Sequence, residues 1–177
     1  MARFELDINP LEHIRVDAIG QPGSRVFYIQ GWRATDPQLV TIIIEKIQLQ
    51  SLALGGEQML TELARQKPEL AVPGVQYDLD KMRITPPLDP LFRAGEMGLG
   101  YDADRDLIVI MVREIVVESG EPEDAAVVRF WCTRAQIRIL VDWGNEVVKR
   151  GRPICTQCGQ PMEPEGHFCP KKNGHKH

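Results

Sequence analysis

Apolar positions along this chain follow one period and then another, and the change happens twice. Residues 3–8 and 13–19 carry short alternating patterns, which predict two strands. Gly20-Gln21-Pro22-Gly23 is a turn signal, because glycine supplies positive φ and proline fixes its own. Arg25 to Trp32 is rich in β-branched and aromatic residues and predicts a third strand, broken at Asp36-Pro37. Leu39 to Ile44 is a more continuous apolar run and predicts a buried strand. From Lys46 the spacing lengthens: Ile47, Leu52, Met59, Leu60 and Leu63 fit one face of a helix running to about Arg65.

The second change of period comes after a segment with little period at all. Residues 67–90 are punctuated by Pro68, Pro73, Pro86, Pro87 and Pro90, and predict a connector wrapped over the surface. Phe92–Tyr101 and Asp106–Val117 then predict a hairpin turning at Asp102-Ala103-Asp104-Arg105, followed by an acidic loop over Glu118–Asp124. Ala126–Cys132 predicts another buried strand, and Thr133 opens a helix to about Lys149. Thr133 and Gln136 have the spacing of a capping box, in which each side chain satisfies an orphan amide of the first turn. Gly151-Arg152-Pro153 ends that helix.

The two strand-into-helix units resemble each other. Ile44-Glu45-Lys46-Ile47-Gln48-Leu49 aligns with Cys132-Thr133-Arg134-Ala135-Gln136-Ile137, with Glu45 in the place of the capping threonine. Without a gap, Leu52 then meets Leu140, Gly56 meets Gly144, and Met59-Leu60 meets Val147-Val148. Hydrophobic period alone does not explain matched glycines and glutamines, so an internal duplication is expected. The predicted fold is α+β: a first sheet-plus-helix half (1–66), a proline-punctuated connector (67–91), a second half (92–150) and a tail (151–177).

Composition agrees with one sizeable core, since 43% of 177 residues are hydrophobic. The net charge of −4 divides into −6 over residues 1–150 and +2 over residues 151–177, so the body presents no basic field for nucleic acid. The N-terminus mixes charges early and lacks the apolar stretch of a secretory leader. No run approaches the roughly 20 apolar residues of a membrane helix. Of the four cysteines, three lie together at metal-ligand spacing and Cys132 stands alone in an apolar strand, a usage that predicts a reducing cytoplasm rather than a disulfide scaffold.

The tail concentrates the chemistry. Cys155-Thr156-Gln157-Cys158-Gly159 has the form of a zinc knuckle: two thiolates on a tight turn, with glycine permitting positive φ. His167 and Cys169 are two apart, so an extended segment carries both on one face. Cys155, Cys158, His167 and Cys169 thus form a closed, structural zinc set. Pro161 and Pro164 lower the entropy cost of closing the loop between them. A redox C-x-x-C usually opens a helix, and Pro153 and Gly159 argue against one here. His175 or His177 could stand in for His167.

Other constellations read as structural. Asp102, Asp104 and Asp106 have calcium-loop spacing but lack the following glycine and the distal glutamate, so they predict a solvated turn. His13 predicts a structural histidine, and Cys132 an inert core thiol. Gly95, Gly98 and Gly100 match neither a phosphate loop nor a dinucleotide fingerprint and predict a bulged or closely packed strand. Arg25, Phe27, Tyr28, Trp32 and Arg33 have the mix of a base-stacking platform, although core packing is the expected use of so few aromatics.

Several stretches together resemble a known family: Phe4-Glu5-Leu6, Arg25 through Gln30, Ile44-Glu45-Lys46, Gly98 through Asp102, and Gly151-Arg152-Pro153 on through Gly166-His167-Phe168-Cys169-Pro170 to Asn173-Gly174. They resemble an uncharacterised bacterial repeat-protein family met mainly in actinobacteria, domain of unknown function 3090. The resemblance implies His167 as the histidine ligand, agrees with a duplication, and implies no established activity. The leading expectation is a cytoplasmic binding or adaptor protein whose structural zinc tail presents Gln160–Phe168 to a protein partner. One alternative is an enzyme whose ligand cleft lies between the halves, lined by Gly95, Gly98, Gly100 and Tyr101. The other is nucleic-acid binding through the tail and the aromatic-basic strand. No membrane partner is expected.

Overall fold

The computed structural model describes residues 3–71, 74, 76–117, 120–121, 124–163 and 165–172. In these residues seven strands form two sheets: β1 (Glu5–Ile8), β2 (Leu11–Ile19), β3 (Val26–Arg33), β4 (Val40–Ile44), β5 (Ala94–Asp102), β6 (Leu107–Glu114) and β7 (Val127–Cys132). Among the described residues, three α-helices accompany them: α1 (Lys46–Gln66), a single turn α2 (Leu79–Met82), and α3 (Arg134–Lys149). One sheet has the order β1-β7-β6-β5 and the other β2-β3-β4. The fold is α+β, as the change of period predicts. Among the described residues, no helix is long and apolar enough to cross a membrane.

Each long helix follows three antiparallel strands. β2, β3 and β4 lead into α1, and β5, β6 and β7 lead into α3. The strand that enters each set first pairs elsewhere. β1 runs parallel to β7. Likewise the residues before β5 run parallel to β4: Leu91 N–H donates to Thr41 O at 2.8 Å and Ile43 N–H to Phe92 O at 3.0 Å. Both first strands carry a bulge near their start, between Leu11 and His13 on β2 and between Ala94 and Glu96 on β5.

The helix starts are tied to those bulges by glutamines. Thr133 Oγ1 accepts from Gln136 N–H at 3.1 Å while Gln136 Oε1 accepts from Thr133 N–H at 2.9 Å, the predicted capping box. The same glutamine donates from Nε2 to Leu11 O at 3.0 Å. Gln48 does the corresponding work at α1: it accepts from Glu45 N–H at 2.8 Å and donates to Gly95 O at 3.1 Å and Ala94 O at 3.3 Å. A bulge strips a carbonyl of its ladder partner, and each glutamine supplies the missing donor.

α1 and α3 pack on each other through small residues. A Cβ on Gly56 would lie 2.7 Å from Val141 Cγ2 and 3.3 Å from Ile137 Cγ2; one on Gly144 would lie 3.2 Å from Leu49 Cδ1. The core beneath them comes from the inward residues of both sheets, including Val16, Ile29, Ile42, Ile108, Ile110 and Phe130, all fully enclosed. Trp143 on α3 is 1% exposed and donates its indole N–H to Val16 O at 2.7 Å.

Three details depart from the sequence pattern. The connector is partly core: a 3-10 turn at Pro68–Leu70 and α2 interrupt it, Met82 and Ile84 are buried, and Tyr77 stacks edge-on against Trp143. One helical turn is too short to leave a periodic signal. β6 ends at Glu114, short of Val117, because β7 begins opposite Arg113 and offers Ile115 and Val117 no strand to pair with. Ile47, counted among the apolar face of α1, is 66% exposed; the buried face is Leu49, Leu52, Ala53, Gly56, Leu60 and Leu63.

Glycine at the helix crossing is a direct test of this packing. Replacing Gly56 by alanine would gain about 1 kcal/mol of helix propensity, but Gly56→Val adds branches where even a Cβ is too close. Overpacking of about 1–3 kcal/mol outweighs the propensity gain, so Gly56→Val is expected to lower the urea midpoint at unchanged m-value. An unshifted midpoint would show that the helices do not meet there.

Candidate metal centre in the C-terminal tail

The tail folds on two tight turns. Ile154 bridges to Pro161 and Glu163 to Gly166. Cys155 N–H donates to Gln160 O at 2.8 Å, and Gly159 N–H returns to Cys155 O at 2.9 Å. Gly159 has φ 74° and Gly166 φ 112°, so both turns need the left-handed region that glycine enters without strain. Arg152 pairs with Glu163 across the first turn.

Those turns bring Cys155, Cys158, His167 and Cys169 together, with all four ligand atoms within 4.8 Å of one another. Cys155 Sγ lies 3.9 Å from Cys169 Sγ, and Cys158 Sγ 3.1 Å from His167 Nε2. A tetrahedral ion with sulfur ligands at about 2.3 Å needs sulfurs about 3.8 Å apart, so the spacing fits a single ion. Cys155 and Cys169 are buried, while Cys158 and His167 are half-exposed. The backbone N–H groups of Cys158 and Gln157 point at Cys155 and bring its thiol down to about 6, which favours the thiolate that a metal binds. At Cys158 the N–H of Gln160 acts in the same sense, but desolvation and the neighbouring thiols Cys155 and Cys169 outweigh it and hold that thiol above its ordinary value. His175 and His177 lie outside the described residues.

The other candidates fall where core and turn chemistry put them. Cys132 is fully buried in β7, and desolvation pushes its thiol far up, so it is inert. His13 Nε2 bonds Lys81 O at 3.0 Å and its ring lies tilted at 43° against Trp32, with centroids 4.9 Å apart; burial lowers its basicity. Asp102 Oδ1 accepts from the backbone of Asp104 and Arg105, and its other oxygen pairs with Arg105 at 2.7 Å. Asp106, at φ 51°, takes Arg134 at 2.9 Å and Tyr101 O–H at 2.9 Å. The three carboxylates of the turn are not gathered for a cation.

The basic-aromatic strand is split between faces. Phe27 is in the core with Arg25 over its ring, whereas Trp32 lies on the other face beside His13 and under Arg15. The glycine-rich strand separates too. Gly95 and Gly98 line an open trough of about 370 Å³ between α1 and β5, while Tyr101 belongs to the Asp106 turn. The helix side of that trough, Ser51 and Gly55, was missed by sequence reasoning; the doublet Gly55-Gly56 inside a helix was the available signal.

Asp106 gives the body a testable acid dependence. Hydrogen bonds from Arg134 hold its carboxyl below the ordinary range. Its contribution to stability is therefore present above about pH 4 and is lost as pH falls through the lowered native value. Asp106→Asn is expected to melt below the native chain at neutral pH and to converge with it toward pH 2. Parallel curves across that range would remove Asp106 from the account.

Comparison with protein families finds a match over residues 6–169 to a family described as a protein of unknown function, DUF3090. No curated protein and no solved structure matches the chain.

Proposed function

We propose that this chain, which belongs to the DUF3090 family of proteins of unknown function, is a cytoplasmic binding protein whose tail is folded by one structural zinc ion and presented to a protein partner. The observation that carries this is the convergence of three thiols and one imidazole within 4.8 Å. Three sulfurs and a nitrogen in tetrahedral reach suit zinc better than oxygen-seeking ions. Cys155, Cys158, His167 and Cys169 would hold it. Bound there, zinc would supply a crosslink and no chemistry, because four protein ligands leave no position for water or substrate.

The site also sets what the tail displays. Phe168 is 60% exposed although it stands between two proposed ligands, and Ile154 is 55% exposed beside a third. Isolated apolar residues held outward on a rigid loop are the anchors a partner surface needs. The loop Gln160–Phe168 is the surface we assign to that partner.

We further propose that the body arose by duplication, with halves 1–66 and 92–150 joined by 67–91 and followed by the tail 151–177. Equal strand-strand-strand-helix order, bulges at matching places and the two bulge-capping glutamines support it.

Two measurements test the tail. Purified protein is expected to carry about one zinc per chain by elemental analysis, and Cys158→Ser combined with Cys169→Ser to carry none. A chain lacking residues 153–177 is expected to keep the cooperative melt of the body and to lose the partner captured from native cells by the intact chain. A metal-free intact protein would end the proposal. Loss of the body's melt on deletion would make the tail a clasp for the fold instead.

A further inference from the structure

One slot is filled in the first strand-helix layer and open in the second. α3 lies over β2, and Trp143 is the tenth residue of α3 counted from Arg134. Its indole fills the space against β2, with Nε1 on Val16 O at 2.7 Å, and Tyr77 closes over it edge-on at 6.1 Å between centroids. α1 lies over β5 in the corresponding way, and its tenth residue counted from Lys46 is Gly55.

The strand positions match as well. Val16 faces Ile29 on β3, which faces Ile42 on β4; Leu99 faces Ile110 on β6, which faces Phe130 on β7. A Cβ on Gly55 would lie 3.1 Å from Leu99 Cδ1, so the helix position looks onto that strand residue, and the flexible end of the Leu99 side chain must turn aside for any group placed there. A Cβ on Gly98 would meet only Met111 Cε, at 3.8 Å, on the opposite face of the strand, so here the trough is bounded by bare backbone. The result is the trough of about 370 Å³ lined by Ile47, Ser51, Leu52, Gly55, Gly98 and Leu99, within the size range of small-molecule sites. The Gln48 amide on its rim is already committed to Glu45, Ala94 and Gly95. Among the described residues the Ser51 hydroxyl makes no hydrogen bond, which leaves one polar side chain to orient a ligand.

We propose that this trough binds a small molecule with a planar aromatic ring of indole size bearing a ring N–H. The ring would lie between α1 and β5 where the other layer holds Trp143, with its N–H on the Leu99 carbonyl, the counterpart of Val16 O. Walls of Ile47, Leu52 and Leu99 supply apolar contact on the faces of the ring. None of the lining residues belongs to the tail, so the site is independent of the metal centre.

The test is a titration of the full ¹⁵N-labelled chain with indole and with 1-methylindole, which has the same ring and no N–H. Indole is expected to shift the amides of Gly55, Gly98 and Leu99 saturably, and 1-methylindole to bind about tenfold more weakly, the scale of a carbonyl left without its donor. Gly55→Trp places an indole in the slot from within and is expected to abolish the titration while keeping a dispersed spectrum. If that variant does not fold, Ser51→Phe, at an exposed position on the helix wall, fills the trough from the helix side and carries the same comparison. Absence of saturable shifts with indole overturns the site, as does binding unaffected in the folded variant. Equal binding of 1-methylindole overturns the hydrogen bond to Leu99 and with it the class of ligand.

Discussion

The close crossing of α1 and α3 is the contact on which the rest of the body depends. Neither helix covers only its own strands. α3 reaches β2 through Trp143, α1 reaches β5 through Gln48, and the two meet where Gly56 and Gly144 leave no room for a side chain. Interiors are packed at crystal-like density, so a side chain added at Gly56 would force Val141 or the crossing itself to shift. The glutamines add direction to the contact. Each finds its carbonyls at a bulge in the other set of strands, which fixes where each helix starts along its neighbour.

Much of this was legible in the amino-acid order. The β-branched and aromatic run Arg25 to Trp32, the apolar run into Ile44 and the capping pair Thr133 and Gln136 all appear in the structure where the pattern puts them. Local chemistry wrote those signals, since caps and periods depend on residues a few positions apart. What stayed hidden depends on distant partners. Ile115 and Val117 have strand composition, but β7 does not extend beside them; Ile115 keeps only a bond to Arg93 O, just before β5. Ile47 has helix-face spacing and a trough in place of a core. Met82 and Ile84 are buried by an encounter with β2 that no window around them could announce.

The tail was legible for the opposite reason. Its donors are close in sequence, and Gly159 and Gly166 mark the turns that fold them together. Three thiols that would otherwise repel one another as thiolates are held in reach by backbone hydrogen bonds, so the tail keeps its geometry through local turns and not through the hydrophobic core. This division separates the molecule into a body organised by burial and a tail organised by local turns around four clustered side chains.

The exchange of entry strands has a consequence for how the protein is made. β1 pairs with β7 across more than a hundred residues of chain, so during synthesis Glu5–Ile8 waits for Val127–Cys132. The meander β2-β3-β4 can close early from neighbouring residues, while its companion sheet stays one edge short until Val127–Cys132 emerges. Such a long loop costs little extra entropy once formed but delays the event that forms it. Completion of this sheet therefore waits for Val127–Cys132, and a chain cut before them leaves β1 and β6 with unpaired edges.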